Sequence, residues 1–480
     1  MKGKKWTIGL CIILLVGIFG AACTRSDSSD VVKDPSQAVT ESNETLTEST
    51  ETVSVSNPSD DSEMTGPLIN KAQLLEDFDQ LVGIIQNNHP KLYTDIDALE
   101  TMIEDSRLMI DKDMTELEFF RLLSPIVTKL DCGHTCLMLS PDTENRLMDS
   151  QIMFPLYIHW IGTQAYVTQN PFDATIPIGS ELLSINGKPM TEIRDLLLAN
   201  ISADGTNVTR KEHFINNNFN YFYAANVDAA SSYEISYRQG EGSASVTETV
   251  LGVSFDKFSA NTQSDWLDSE PPFESRFEDS FAVLTFYSFY PQGAYTLSDY
   301  QAFIDEFFAK VKTQDIANII LDVRGNGGGD PYVASHLFSY LAKTEQPYFI
   351  DHGVRFYQRL FSVVPLAENR FTGKLAILMD GISFSTSGHL LALLKSQGVG
   401  TFFGEESGGS FACTDSSQDF SLKNSNLRFH SSMQVWEVQT EGLTPGRGIM
   451  PDFPVEPTLA QYLSGEDIIL NTAIEWIRED

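Results

Sequence analysis

Asn318-Ile319-Ile320-Leu321-Asp322-Val323-Arg324-Gly325-Asn326-Gly327-Gly328-Gly329-Asp330 is an apolar run that ends in three consecutive glycines. Its length and bounding turn residues fit a buried strand. Residues 331–341 then read as a helix, so the glycines join strand to helix. Glycine lets backbone amides approach a ligand with no Cβ in the way. Amides ahead of a helix N-terminus favour an anion or a developing oxyanion. The phosphate-binding patterns G-x-G-x-x-G and G-x-x-x-x-G-K-S/T are both missing. A flexible turn with no chemistry is the plain alternative.

The surrounding chain alternates in the same way. Residues 281–286 and 374–379 read as strands, and 298–312 and 384–395 as helices, the last stopped by Gly398. Residues 277–480 are therefore expected to form an α/β domain with a largely parallel sheet. Upstream, Leu74, Leu75, Phe78, Leu81, Val82 and Ile85 recur at helical spacing, closed by Pro90. A second helical stretch covers 96–110, and a third opens at Thr115 with Glu118 in a capping-box pattern. Residues 67–145 thus read as a helical subdomain. Residues 146–276 carry short apolar runs separated by turns and read as a β-rich domain, with Asn186-Gly187 marking a tight turn.

The chain has 480 residues, 42% of them hydrophobic, enough to fill more than one core. Its 66 acidic residues against 32 Lys+Arg give a formal charge of -34, which repels phosphate backbones and argues against nucleic-acid binding. Lys2, Lys4 and Lys5 precede an apolar run over 8–19 and then Gly20-Ala21-Ala22-Cys23. Small residues ahead of a cysteine resemble a bacterial lipobox, so 1–22 is expected to be a signal peptide and Cys23 the lipidation site. The protein would then be extracytoplasmic and held at the bacterial cell membrane by lipid. Residues 23–66 are rich in Ser, Thr, Asp and Glu and read as a disordered tether.

Three further segments carry reactive side chains. Leu378-Met379-Asp380-Gly381-Ile382-Ser383-Phe384-Ser385-Thr386-Ser387-Gly388-His389 runs from a strand into a helix rich in hydroxyls. A serine there sits among unpaired helix amides; Ser383 or Ser385 could also simply cap the helix. Leu130-Asp131-Cys132-Gly133-His134-Thr135-Cys136 offers an imidazole suited to proton transfer at neutral pH. Cys132, His134 and Cys136 match no standard zinc spacing, so no metal or other cofactor is expected, and a disulfide among Cys132, Cys136 and Cys413 is open. Gly446-Arg447-Gly448-Ile449-Met450-Pro451-Asp452 reads as a turn into a short extended segment.

In this order the segments resemble the tail-specific (C-terminal-processing) serine peptidases and their tricorn-core relatives. The family's D-G-H-T/S stretch corresponds to Asp131 to Thr135, with Cys132 intervening, and its PDZ strand to Gly179 to Gly187. Asp322 to Gly329, Ser385 to Gly388, Gly404-Glu405-Glu406-Ser407-Gly408-Gly409 and Gly448 to Asp452 follow. The resemblance implies a ClpP/crotonase-like catalytic domain over 277–480 beside a PDZ-like domain over 146–276. It implies Ser385 as nucleophile, and an oxyanion hole made by the backbone N–H groups of Thr386 and of Gly327 or Gly328. The lysine of the family's serine–lysine dyad is replaced by Ser410, and no lysine lies between Lys395 and Lys423. The tricorn-like branch instead uses a histidine and a late carboxylate. His134 is then the expected base, with Glu441 orienting it and Glu437 in reserve. His389, four residues after Ser385, is a rival base, expected otherwise to face solvent or a loop. The expected activity is serine-type endopeptidase cleavage of peptides or unfolded protein chains. The alternatives are an inactive peptide-binding relative and a solute-binding lipoprotein built of two similar α/β lobes.

Overall fold

The structure is a computed structural model and describes residues 66–150, 152–172, 174–255, 257 and 271–479. The expected signal peptide, the lipidation site Cys23 and the tether up to residue 65 lie outside the described residues.

The N-terminal region begins with helices α1 (Lys71–Asn88), α2 (Ile96–Met109) and α3 (Glu116–Thr128). Each has a side-chain N-cap, Asn70, Asp95 and Thr115, and Thr115 with Glu118 completes the capping box read from the sequence. Leu74, Phe78, Leu81 and Ile85, at helical spacing, face one core with Leu117, Phe120 and Leu123. The segment is not purely helical. A three-residue strand, β1 (Cys136–Met138), follows α3 and precedes α4 (Pro141–Asp149).

The next region holds a six-stranded antiparallel sheet, β2 (Tyr157–Ile161), β3 (Gln164–Gln169), β4 (Glu181–Ile185), β5 (Ser232–Arg238) and β6 (Val246–Leu251), with the two-residue strand Lys188–Pro189 paired to β4 as the sixth. After β4, Asn186 and Gly187 both take positive φ, 49° and 75°, in the tight turn that the dipeptide predicts. The β-rich expectation needs correcting, because α5 (Met190–Leu198) and the 19-residue α6 (Val208–Asn226) cover this sheet. Five of the residues in α6 are asparagines, poor helix formers, which hides it from propensity. Burial of Ile215, Phe219 and Tyr223 against the sheet holds it, with a kink at Asn218.

The third region is the α/β unit expected from the alternation. Its elements are β7 (Phe273–Phe277), β8 (Ala282–Phe286), α7 (Leu297–Thr313), β9 (Asn318–Asp322), α8 (Pro331–Leu341), β10 (Lys374–Met379), α9 (Thr386–Ser396) and β11 (Thr401–Gly404). Short strands follow, β12 (Ala412–Asp415), β13 (Gln418–Ser421), β14 (Arg428–Ser431), β15 (Gln434–Glu437) and β16 (Phe453–Pro454), then helices α10 (Leu459–Ser464) and α11 (Ile468–Arg478). The main sheet has the order β7-β8-β9-β10-β11-β16, and only the β7–β8 pair is antiparallel. Its strands are buried on both faces. Ile319, Leu321 and Ile377 pack into the core with α7, α8 and α9, while Ile320, Ala376 and Leu378 pack against α11. The molecule is thus a mixed α/β protein with several sheets, and the described residues contain one such parallel sheet rather than two similar lobes.

Two pairings tie early chain to late. Strand β1 joins β14 with Cys136 opposite His430 and Leu137 opposite Phe429, and β14 continues to β13. Leu422, Leu427 and Phe429 enter the same core as α1 and α3. Strand β12 pairs with β15. In open parallel sheets, ligands gather beyond the carboxyl ends of the strands. Here the ends of β9 and β10 lead into the triple glycine and into Ser385.

Candidate active site

The turn between β10 and α9 is fastened from both sides. The Asp380 carboxylate accepts the N–H groups of Ile382 (2.9 Å) and Ser383 (3.0 Å), and that of Gly325 from the neighbouring loop (3.1 and 3.0 Å to its two oxygens). Ser383 Oγ donates to the Val323 carbonyl at 2.8 Å and accepts from Asp380 N–H at 3.1 Å. Ser383 is buried and structural. Ser385 behaves differently. It occupies the N-cap position of α9 without a side-chain cap bond, at φ 53° and ψ −123°. A non-glycine residue there stores about 1–3 kcal/mol of strain, which the surrounding contacts must hold. Those contacts include Phe384 N–H to the Asn326 carbonyl (3.0 Å) and Gly409 N–H to the Ser383 carbonyl (2.9 Å). Sharp strand-to-helix turns of this kind lift a serine hydroxyl clear of the chain.

Close backbone packing surrounds Gly388 and Ser410. A Cβ at Gly388 would stand 2.6 Å from the backbone of Gly409, so a side chain does not fit there. Ser410, at the place of the family lysine, is itself buried next to this contact.

The imidazole arrives from the turn between α3 and β1. Thr135 N–H closes the turn on the Cys132 carbonyl (3.2 Å), and Gly133 N–H donates to Asp204 Oδ1 (2.7 Å). Thr135 Oγ1 accepts from Ser432 N–H (3.1 Å), donates to Ser432 Oγ (3.1 Å) and lies 3.1 Å from His89 Nε2. With β1 paired to β14, these contacts carry His134 to the glycine loop. His134 Nε2 lies 3.0 Å from Ser385 Oγ, although the two residues are 251 apart in the chain. The imidazole lies tilted against Phe384, ring centres 4.4 Å apart, and the Phe384 ring also carries the Arg210 guanidinium 3.3 Å from its centre.

His134 is buried, and burial pushes its pKa down to about 4; the Asp415 carboxylate opposes this, while Arg210 and His430 add to it. At neutral pH the ring is therefore uncharged, the form that can accept a proton. Asp415 Oδ2 stands 3.9 Å from His134 Nε2 at the end of β12. The two glutamates expected to orient the ring have their contacts elsewhere. Glu441 is exposed, its backbone N–H bonded to Ser396 Oγ, and Glu437 takes His352 Nε2 at 2.9 Å. Strand β15 and the loop after it run past the site and spend both glutamates elsewhere.

His389 also departs from expectation. It is buried rather than facing solvent, 3.6 Å from Cys413 Sγ and edge-on to Phe349 at 5.4 Å. Burial and the nearby His134 lower it to about 3. Helix α9 turns this ring into the core although it is one turn from Ser385.

The glycine loop packs directly on Ser385. A Cβ at Gly328 (φ +103°) would lie 2.8 Å from Ser385 Cβ and 2.9 Å from Thr386 N. Thr386 Oγ1 donates to the Gly329 carbonyl at 2.7 Å, fixing the first turn of α9 against the loop. The Gly328 N–H is engaged by Asn326 Oδ1 (2.9 Å), whereas Gly327 is exposed with open space where a Cβ would stand.

The remaining motifs are scaffolding. Asp322 and Asp467 clamp Arg324 with contacts of 2.6–2.9 Å, tying the end of β9 to the start of α11. Glu406 holds Arg447 by two 2.8 Å contacts and Gly448 N–H at 2.9 Å. Asp452 receives Phe402 N–H at 2.9 Å and Lys395 at 2.5 Å. Cys132, Cys136 and Cys413 are free thiols, so no disulfide joins them. Among the described residues no group of three His, Cys, Asp or Glu is placed to hold a metal ion.

The sequence reading missed Asp415, Phe384, Thr135 and Arg210. Thr135 and Phe384 lay inside quoted segments without an assigned role. The others acquire their roles through contacts between distant segments, and nothing local marks them.

Residues 280–455 match a family model described as peptidase family S41. No curated protein matches the chain. Among solved structures, mature CPAF superposes with a TM-score of 0.63 at 12% identity, covering 85% of this chain and 98% of CPAF. The photosystem II D1 C-terminal processing protease gives 0.40 at 13% identity, over 81% of this chain and 93% of that one. The tricorn protease gives 0.41 at 15% identity, over 85% of this chain and 37% of that one. The CPAF likeness establishes a shared fold. The α/β region that carries the triple glycine and Ser385 is thus the part of the chain that matches peptidase family S41.

Proposed function

We propose that the protein is a lipid-anchored, extracytoplasmic serine endopeptidase acting on peptides or unfolded chains. Ser385 Oγ attacks the scissile carbonyl, while His134 Nε2 accepts the hydroxyl proton. The imidazolium so formed is stabilised by Asp415. The carbonyl oxygen becomes an oxyanion held by the backbone N–H groups of Thr386 and Gly327; Gly328 is the weaker candidate because Asn326 already occupies its N–H. His134 returns the proton to the leaving amine, and the C–N bond breaks to leave an acyl-Ser385 ester. A water, deprotonated by His134, then hydrolyses that ester and regenerates the hydroxyl. The β-rich region over 146–276, read as PDZ-like, would bind an extended substrate segment by strand addition.

The observation that carries this reading is the 3.0 Å contact between an uncharged, buried imidazole and a serine hydroxyl at a strained helix start. The lipid anchor rests on Cys23 and its preceding residues alone. Casein hydrolysis by the full chain tests the activity. Ser385→Ala is expected to lose roughly 10⁴-fold or more in kcat/KM with no loss of thermal stability. Full activity in Ser385→Ala would overturn the proposal.

A further inference from the structure

Residues 204–213, the end of the loop after α5 and the start of α6, touch both the His134 turn and the Ser385 turn. Toward the first, Asp204 Oδ1 accepts Gly133 N–H at 2.7 Å, and Gly205 N–H donates to the Asp131 carbonyl at 2.9 Å. Asp131 has φ 50°, a left-handed conformation that a non-glycine residue keeps only when its surroundings hold it. Toward the second, the Arg210 guanidinium lies 3.3 Å from the centre of the Phe384 ring, next to Ser385. A Cβ at Gly381 would stand 2.6 Å from the His213 ring. The segment between is pinned as well. Thr206 N–H donates to the Gly446 carbonyl at 2.9 Å, and Asn207 Nδ2 to the Ser407 carbonyl at 2.7 Å.

The chemistry of Asp204 is not that of a residue kept for stability. It is buried, and its second oxygen, Oδ2, has no hydrogen-bond partner among the described residues. Burial pushes its pKa up to about 6, against the pull of the Gly133 N–H and the Arg210 guanidinium. Burying a carboxyl with one oxygen unmatched costs stability. What it supplies is a fixed acceptor, which holds the chain one residue before the imidazole.

We infer that Asp204 is a positioning residue for His134, acting through the Gly133 N–H, and that residues 204–213 hold the His134 and Ser385 turns in register. The inference rests on the peptidase reading and deepens it.

The test is steady-state kinetics of the full chain on one peptide substrate for Asp204→Ala and Asp204→Asn. The alanine variant loses the acceptor. It is expected to lose on the order of 10²-fold in kcat, the cost of a misplacement of about 1 Å, with KM little changed. The asparagine variant keeps an acceptor oxygen and is expected to stay within a few-fold of wild type. Asp204→Ser, whose shorter side chain does not reach Gly133, replaces alanine if that chain fails to fold, and the same loss is expected. The second readout is acylation of Ser385 by an activated ester in the His134→Ala background, where the oxyanion donors leave a residual rate. Adding Asp204→Ala there is expected to change that rate by no more than a few-fold, because Asp204 acts only through the imidazole. Wild-type kcat in Asp204→Ala, an asparagine variant as slow as alanine, or a loss of the same size in the His134→Ala background overturns the inference and leaves the peptidase reading standing. A wild type that cleaves no peptide overturns the peptidase reading and the inference with it.

Discussion

Ser385 and His134 reach the same point by opposite routes. Strands β9 and β10 pair directly in the parallel sheet, so the nucleophile turn is set by residues at the ends of those two strands: Asp380, Ser383, Asn326 and the glycines. The imidazole turn is held by remote chain. Strand β1 is only three residues long, and its partner β14 belongs to the end of the sequence. Thr135 is seated by Ser432, and Asp415 comes from β12. The first corner is a local structure with stored strain, and the second is a tertiary closure. Disturbing the first should act on the chemistry or the stability of one turn. Disturbing the second should move the base away from an intact nucleophile.

The sharpest way to break this contrast is Thr135→Val, which keeps the side-chain shape and removes the shared oxygen. A misplacement of about 1 Å at a reacting group costs on the order of 10²-fold. The variant is expected to lose about that much kcat with little change in KM, and steady-state kinetics on a peptide substrate would reveal it. An unchanged kcat would mean that the imidazole turn is held without the hub.

Asp415→Asn probes the electrostatic half of the same corner. Losing a carboxylate beside a forming imidazolium should lower kcat/KM by roughly tenfold, the low end of what a positioned charge supplies. It should also shift the acid limb of the pH–rate profile. In the wild type that limb is expected near pH 4, not 6.5, because burial lowers His134 to about 4. Asp415 raises the pKa of the ring, so its removal moves the limb further down. A wild-type limb near 6.5 would contradict the burial of the base.

The same histidines predict how stability varies with pH. His89 and His159 are lowered to about 4 by burial, as His134 is, and His389 to about 3. Between about pH 4 and 6.5 the unfolded chain binds more protons than the folded one, so stability falls as pH drops through that window. Thermal melts at pH 7 and pH 5 would measure the difference.

The smallest expected effect on catalysis lies on the nucleophile side. Ser383→Ala removes a buried hydroxyl that joins Val323 to Asp380, and should destabilise the protein by about 1–3 kcal/mol. Its kcat should fall far less than that of Ser385→Ala. Two serines separated by one residue would thus divide between stability and activity.

These differences explain what could be read from the sequence. The α/β alternation and the boundaries of α8 and β10 were legible because each element is one contiguous periodic run. The capping box at Thr115 and the Asn186-Gly187 turn were legible for the same reason. Helix α6 was hidden by its asparagines, since only packing against the antiparallel sheet makes it helical. The partners of His134 were hidden because their positions are set by pairings of distant strands. The family resemblance favoured Glu441 and spacing allowed His389, yet the chain after β15 carries one away and α9 buries the other.

The central claim is that His134, and not the nearer histidine in sequence, activates Ser385. Single-turnover acylation of Ser385 by an activated ester, measured in parallel for His134→Ala and His389→Ala, tests it most directly. The account predicts acylation about 10³-fold slower or worse in His134→Ala and within a few-fold of wild type in folded His389→Ala. Acylation at the wild-type rate in His134→Ala would contradict it.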